Sequence, residues 1–216
     1  MLKTSLNTAF KTFVLLFILQ GTLMGIEEPK YTVIQKNETF EVREYASYLV
    51  AQTKVTGNFD EIGGKAFKIL FKYISGENQA QSKIKMTAPV LQEKEKKEEG
   101  QKIQMTAPVM QEIDVNNAQS ATISFVMPQD FTLATLPMPL DKRISIKEVL
   151  AKTIAVREYS GGWGEDNYKE NEAILLKALE KEKIKTIGAI SFARYNSPFS
   201  LWFLRRNEIM IEVEKR

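Results

Sequence analysis

The chain has 216 residues, of which 44% are hydrophobic and 26% charged, and it contains neither cysteine nor histidine. Such a composition indicates a globular protein with enough core for one domain of about 190 residues or two small packed halves. The missing residue types exclude a disulfide framework, zinc–thiolate sites, Ser-His-Asp and Cys-His catalytic systems and imidazole ligation of a metal.

Residues 1–25 have the pattern of a secretory leader. The only charged side chains are Lys3 and Lys11, and an apolar run from Phe13 to Leu19 precedes the small residues Gly21 and Gly25. The run is shorter than the roughly 20 apolar residues of a transmembrane helix. We therefore expect export and cleavage, to a periplasmic or secreted location, with a retained N-terminal anchor as the alternative.

Without this segment the mature chain, residues 26–216, is nearly neutral. Its positive and negative side chains are interspersed, with no concentrated basic face. Nucleic acid is therefore not an expected partner, and contact with a membrane is expected only through an uncleaved N-terminal segment.

An eleven-residue segment occurs twice, at Lys83–Glu93 and at Lys102–Glu112. Both copies contain Met-Thr-Ala-Pro-Val, and the residues between them, 94–100, are almost all Lys and Glu before a final Gly. Eleven residues bury too little to form a domain, so the copies are predicted to pair as an antiparallel β-hairpin with a solvated tip.

A weaker repeat suggests two related halves, residues 31–128 and 144–214. Val42-Arg-Glu-Tyr45 recurs as Val156-Arg-Glu-Tyr159, each at the end of a strand-like run, predicted over Tyr31–Val42 and Ile144–Val156. Each is followed by an Asn predicted to cap a helix, Asn58 and Asn167. Each half is predicted to fold as strand, helix, strand and strand.

Apolar residues at helical spacing then predict two long helices, over residues 59–75 and 168–182. Gly76 marks the end of the first helix. Later strands are predicted at 121–127, 187–194 and 206–213, and the proline-rich segment 128–139 is predicted to be an extended connection. The expected fold class is α+β, in which the duplicated halves form a curved sheet or distorted β-barrel with both helices packed on it.

Four ordered motifs resemble those of the SOUL haem-binding protein family, and the similarity runs from about Tyr31 to Glu214. The motifs are Tyr73-Ile-Ser-Gly-Glu-Asn78, Met86-Thr-Ala-Pro-Val90, Ile123-Ser-Phe-Val-Met-Pro128, and Tyr195-Asn-Ser-Pro-Phe199 followed by Arg205-Arg-Asn-Glu208. The resemblance implies the duplicated fold described above and a tetrapyrrole, such as haem, as the non-covalently bound ligand. It does not imply catalysis.

The resemblance also implies where the ligand binds. The histidine of members thought to ligate haem iron falls at Glu44, so this chain lacks that ligand. Other members are thought to hold haem in an apolar cleft beside the first long helix and the loop before the last strand. An apolar cleft suits the porphyrin and a cation at its rim suits the propionates. The matching positions are Phe67, Leu70, Phe71, Lys72, Tyr195 and Phe199.

These residues also have ordinary explanations. The helical positions fit a core stripe, and Lys72 fits a solvated face. Weak ligation of iron by Met86, Met105, Tyr45 or Tyr195, and contact of Trp163 with a flat ligand, remain open, although no metal site is predicted. Two other functions also remain open: binding of a different flat apolar molecule, and acid–base catalysis by a carboxylate with Trp163 or a tyrosine. The carboxylates considered for catalysis are Glu44, Glu158 and Glu208.

Overall fold

The computed structural model describes residues 26–80, 100–114 and 117–215. These contain eleven strands and two α-helices. The strands are β1 (Tyr31–Lys36), β2 (Glu41–Tyr45), β3 (Tyr48–Thr56), β4 (Asn78–Gln79), β5 (Val109–Asp114), β6 (Asn117–Val126), β7 (Met138–Pro139), β8 (Ile144–Val149), β9 (Lys152–Tyr159), β10 (Thr186–Arg194) and β11 (Asn207–Val213). The helices are α1 (Phe59–Ile74) and α2 (Glu165–Lys181), and a short 3-10 helix spans Trp202–Leu204.

Nine strands form one antiparallel sheet in the order β1-β2-β9-β11-β10-β5-β6-β3-β8, and β4 pairs with β7 separately. Within the described residues the sheet is open, with β1 and β8 at its edges, so the curved-sheet form of the predicted α+β fold describes the structure and the barrel form does not. The order contains two four-stranded units, β2-β9-β11-β10 and β5-β6-β3-β8, which meet where β10 pairs with β5.

Helix α1 begins and ends where the sequence predicts. The Asn58 side chain accepts a hydrogen bond from the Glu61 backbone N–H at 3.0 Å, which satisfies one of the unpaired donors of the first turn. Gly76, at φ +116°, follows the last turn, and this left-handed conformation favours glycine. The buried stripe of Ile62, Ala66 and Leu70 packs on β3 and β6.

Helix α2 begins earlier than predicted. Its N-cap is Gly164, with Glu165 and Asp166 in the first turn, where carboxylates interact favourably with the helix dipole. The predicted cap, Asn167, lies inside the helix and donates a hydrogen bond to the Gly162 carbonyl at 2.9 Å. Leu175 and Leu179 are fully buried against β9 and β11.

The helices cover one face of the sheet. Because side chains alternate along a strand, Phe192, Ile209 and Ile211 face the helices, whereas Ala193 and Met210 face the opposite side. Core clusters form on both faces. Two lie beneath the helices, and a smaller one, containing Tyr45, Ile154, Val156, Ala193 and Met210, lies on the other face.

Two strands predicted from the sequence are each a pair of strands in the structure. The predicted strand Tyr31–Val42 is a hairpin of β1 and β2, turned at Asn37, whose side chain accepts hydrogen bonds from two backbone N–H groups. Residues 144–156 are likewise divided between β8 and β9, and β3 was missed. Val42–Tyr45 and Val156–Tyr159 are therefore not equivalent, because β3 separates β2 from α1 whereas β9 leads directly into α2.

The first eleven-residue copy, 83–93, lies outside the described residues. In the second copy the strand residues Val109–Glu112 pair with β6 along one edge and with β10 along the other. Both edges of this strand are thus occupied, and the predicted pairing of the two copies was wrong for these four residues. The strands predicted at 121–127, 187–194 and 206–213 are confirmed as β6, β10 and β11. None of the helices in the described ranges is long and apolar enough to span a bilayer.

Candidate functional site

An open cleft of ≈ 380 Å³ lies between the second and third turns of α1 and the strands β5, β6 and β10. Its walls are mostly apolar, and its polar groups stand at a few positions, which is the usual composition of a small-molecule site. The lining residues are Gly63, Gly64, Phe67, Lys68, Val109, Gln111, Ile123, Trp163, Arg194, Asn196 and Pro198.

A close approach of α1 to β10 shapes one side of this cleft. A β-carbon on Gly63 would lie 2.9 Å from Arg194 Nη1, so a larger residue there would require the tip of the Arg194 side chain to move. The same guanidinium lies over the Trp163 ring, 5.1 Å from its centroid, and Arg205 lies over that ring at 4.3 Å. Trp163 Nε1 donates to Asn207 Oδ1 at 2.8 Å, which fixes the ring in the cleft wall.

The floor of the cleft contains a buried amide with an unused donor. Gln111 is 3% exposed, and its Oε1 accepts a long hydrogen bond, 3.5 Å, from Arg194 Nη2. Its Nε2 has no hydrogen-bond partner among the described residues. A buried donor left unpaired costs roughly 1–3 kcal/mol, so the position favours an acceptor supplied by a ligand.

The lysine that lines the cleft is Lys68, and this differs from the sequence prediction. Lys68 lines the cleft one turn after Gly64 on α1. The predicted cation, Lys72, is not among the lining residues; it is largely exposed and pairs with Glu77 at 3.5 Å. A helix turn of about four residues separates the two lysines, so they point along the same side of α1 but reach different surroundings.

The six predicted site residues do not form one cluster. Phe67 lines the cleft, half-buried, and stacks on Phe71 at 5.7 Å between ring centroids. Phe71 is 46% exposed and lies beyond the lining residues. Leu70 is fully buried in the core under α1 and presents no surface to a ligand.

The other two lie apart from Phe67. Tyr195 packs with the core cluster on the sheet face opposite the helices, because it alternates with the cleft residue Arg194. Phe199 is 96% exposed on the loop between β10 and β11, next to the lining residue Pro198. The cleft therefore unites Phe67 with residues that the sequence did not single out as a set.

A second polar centre lies on the opposite face, around the fully buried Glu208. Its Oε1 accepts from Arg43 Nη1 at 2.9 Å and from Arg206 Nη2 at 2.8 Å, and its Oε2 accepts from the Tyr195 hydroxyl at 2.5 Å. Two guanidinium groups and a phenol thus neutralise and satisfy this carboxylate. These contacts tie Glu208 of β11 to Arg43 of β2 and to Tyr195, which directly follows β10.

The tyrosines of this centre remain protonated at neutral pH. Burial, and then the negative charge of Glu208, raise the pKa of Tyr45 and of Tyr195 well above the ordinary value. The phenolate form that would ligate ferric iron is therefore disfavoured at both. Of the candidate methionine ligands, Met105 is 39% exposed and is not a lining residue, and Met86 lies outside the described residues.

A larger groove of ≈ 410 Å³ is lined by the first described residues, by β3 and by residues 126–133. Glu27, Glu28 and Glu148 line it together with a single cation, Lys30. An excess of carboxylates repels an anionic ligand, so for such ligands the smaller cleft beside α1 is the better site. Across the described ranges no three Asp or Glu side chains converge as a metal site would require.

The structure is an α+β domain with a small, mostly apolar cleft that Lys68 and Arg194 line. The family model of the SOUL heme-binding protein matches residues 26–100 and 92–212. The chain belongs to this family.

Curated relatives carry the same description. Heme-binding protein 2 of Homo sapiens is 26% identical over 185 residues, covering 82% of each chain. Heme-binding protein 1 of Xenopus tropicalis is 24% identical over 201 residues, covering 85% of this chain and 94% of the relative.

Two solved structures share the fold at low sequence identity. The C-terminal domain of EcmrR superposes with a TM-score of 0.57 at 12% identity, covering 86% of this chain and 99% of that domain. A hydrolase from Listeria innocua superposes with a TM-score of 0.53 at 13% identity, covering 84% and 94%. At such identities these similarities concern the fold alone.

Proposed function

We propose that this protein binds haem or another tetrapyrrole non-covalently in the cleft beside α1, as a carrier, buffer or scavenger and not as an enzyme. The observation that supports this most is the apolar cleft with Lys68 at its edge, in a chain whose relatives are named heme-binding proteins. Phe67, Ile123 and Trp163 would contact the flat ring, and Lys68 and Arg194 would pair with the propionates.

Binding would rest on burial of the ring. Each Å² of apolar surface removed from water contributes about 25 cal/mol, from which association costs are subtracted, and a partly covered porphyrin then binds at roughly micromolar concentration. The chain has no His or Cys to ligate iron. Affinity would therefore depend little on the metal, and the spectrum would lack the features of bis-imidazole ligation.

A visible-absorption titration of the protein with haem and with iron-free protoporphyrin tests the proposal. We expect both to bind at low micromolar concentration with similar affinity. If neither ligand binds below about 50 µM, the tetrapyrrole proposal is wrong. Strong preference for haem over the metal-free ring would instead show that an iron ligand contributes most of the affinity.

A second candidate is the binding of another flat, apolar small molecule. The unpaired Gln111 donor and the aromatic wall of Trp163 serve any planar ligand that carries an acceptor. Binding of a fluorescent planar dye by a protein that binds neither haem nor protoporphyrin would favour this candidate over the first.

Acid–base catalysis has less support. Glu208 and Trp163 lie on opposite faces of the sheet, and Glu208 is occupied by Arg43, Arg206 and Tyr195. Glu44 pairs with Lys215 at 2.5 Å, and Glu158 lies 3.6 Å from Arg206. None of the three carboxylates lines the cleft beside α1. Turnover by the purified protein in a hydrolase substrate screen, lost on Glu208→Gln, would contradict the non-enzymatic role.

We also propose that the protein acts outside the cytoplasm. The leader-like pattern of residues 1–25 supports this, and the absence of cysteine is compatible with an oxidising compartment. N-terminal sequencing of protein from its source should find a start between about Thr22 and Glu28, in an envelope or secreted fraction. Intact Met1 on protein in the soluble cytoplasmic fraction would contradict export.

A further inference from the structure

The loop between β10 and β11 presents an unusual apolar surface. Five large apolar side chains within six consecutive residues are between 51% and 96% exposed: Phe199, Leu201, Trp202, Phe203 and Leu204. Single exposed apolar residues are ordinary, whereas a contiguous group of this size marks a contact surface.

The loop is held in this shape by its own polar contacts. Arg205 donates from Nε to the Ser200 carbonyl at 3.0 Å and from Nη2 to the Pro198 carbonyl at 2.7 Å. Within the loop the Ser200 and Leu204 N–H groups donate to the carbonyls of Ser197 and Leu201, each at 3.0 Å. The apolar side chains are thus displayed by a braced turn, so presenting them costs little additional ordering.

The position of the loop relative to the N-terminal segment indicates what it contacts. Arg206, which directly follows the loop, pairs through Nη1 with Glu28 at 3.0 Å. Glu28 is three residues from the apolar segment 1–25, a distance of at most about 10 Å along the chain. Residues 1–25, predicted above to be a secretory leader or a retained anchor, therefore join the domain close to the residue that follows the exposed loop.

We propose that the loop Phe199–Leu204 is a membrane-docking element whose side chains enter the interface of a lipid bilayer. Trp202 suits this region because its ring is apolar and its indole N–H is polar, and the flanking Phe and Leu side chains gain free energy by leaving water. The loop would hold the protein at the bilayer surface whether the N-terminal segment is cleaved or retained. This inference does not depend on the identity of the ligand in the cleft.

Intrinsic fluorescence tests the proposal directly, since Trp163 and Trp202 are the only tryptophans of the chain. In a Trp163→Phe background Trp202 is the sole reporter. Every described strand, both described helices and the three core clusters lie within residues 26–215, so a chain that begins at Ile26 keeps the contacts described above. Added to phosphatidylcholine vesicles with and without phosphatidylglycerol, it should show a blue shift and quenching by brominated lipid.

Two matched substitutions supply the control. Leu204 is 67% and Leu150 is 71% exposed, and Leu150 lies in the turn between β8 and β9, at the end of β9 far from the loop. We expect Leu204→Asp to weaken vesicle flotation at least about tenfold and Leu150→Asp to leave it unchanged. Circular dichroism would confirm that both variants fold.

Three results would overturn the proposal. The first is failure of the leaderless chain to float with any vesicle, and the second is equal loss of flotation in both variants or in neither. The third is concentration-dependent dimerisation in the absence of lipid that Leu204→Asp abolishes, which would assign the loop to contact between two copies of the chain.

Discussion

Gly63 of α1 and Arg194 of β10 lie so close that a β-carbon at residue 63 would be 2.9 Å from Arg194 Nη1. The same guanidinium lies over the Trp163 ring, and all three residues line the cleft. The glycine therefore shapes the binding site, although it lies within a helix, where glycine is ordinarily unfavourable.

The neighbouring glycines of α1 should respond differently to alanine. Nothing lies within 4 Å of a β-carbon at Gly64, so Gly64→Ala should raise the free energy of unfolding by about 0.5–1 kcal/mol through helix propensity alone. Gly63→Ala must shift the tip of the Arg194 side chain and should stabilise the protein less than Gly64→Ala. Urea unfolding measures both. Trp163 fluorescence in a Trp202→Phe background should change only with Gly63→Ala, and equal stabilisation by both variants would contradict the close approach.

Neutralising the buried Glu208 should cost more stability than neutralising the exposed Glu44. Glu208→Gln leaves the guanidinium groups of Arg43 and Arg206 without their buried partner, which should cost about 3 kcal/mol of stability. Glu44→Gln, which breaks the largely exposed pair with Lys215, should cost below about 1 kcal/mol. Chemical denaturation compares the two, and similar costs would show that the buried centre contributes little.

Stability should fall in alkali through the tyrosines. Burial raises the pKa of Tyr48 and of Tyr159 to about 12, and it also raises the pKa of Tyr45 and Tyr195. An unfolded tyrosine ionises near pH 10, so above that pH the unfolded state loses protons that the folded state keeps. The contribution of these tyrosines to the free energy of unfolding should therefore be independent of pH below about pH 9 and decrease above pH 10. Tyrosinate absorbance that rises fully before unfolding would contradict this.

Substitution of Lys68 and of Lys72 in α1 distinguishes the cleft seen in the structure from the ligand position predicted from the sequence. Lys68 lines the cleft, whereas Lys72 pairs with Glu77, so Lys68→Glu should weaken haem binding several-fold and Lys72→Glu should not. Titration of both variants with haem measures the difference. A larger loss with Lys72→Glu would place the propionates further along the helix, near Phe71.

Local signals in the sequence located α1 and its cap, the strands β6, β10 and β11, and the family. These signals did not predict the features that depend on tertiary contacts. The strands β1 and β2 were predicted as one strand, and so were β8 and β9, because the turns between them lack glycine. The position of β5 between β6 and β10 was not predicted because no local pattern encodes strand pairing. Leu70 and Phe71 were predicted as ligand contacts together with Phe67, but only Phe67 lines the cleft. A stripe of apolar residues at helical spacing does not show which of its side chains face a cleft.

The cleft residues that sequence reasoning missed become neighbours only in the fold. Gly63, Gln111 and Arg194 come from α1, β5 and β10, and their contact depends on strand order and register. One signal was present in the sequence. Two consecutive glycines at 63 and 64 inside an amphipathic helix are unfavourable for the helix, and this indicates a close approach or an open surface.

The haem affinity of a variant that fills the cleft tests the central claim most directly. Gly64→Leu places a side chain where the structure has open space at the cleft, and Lys65→Leu adds the same side chain at the next position, which does not line it. By visible-absorption titration, Gly64→Leu should weaken haem and protoporphyrin binding at least about tenfold, and Lys65→Leu should leave both within about twofold of the unmodified protein. Unchanged binding by a folded Gly64→Leu protein would show that the tetrapyrrole does not bind beside α1.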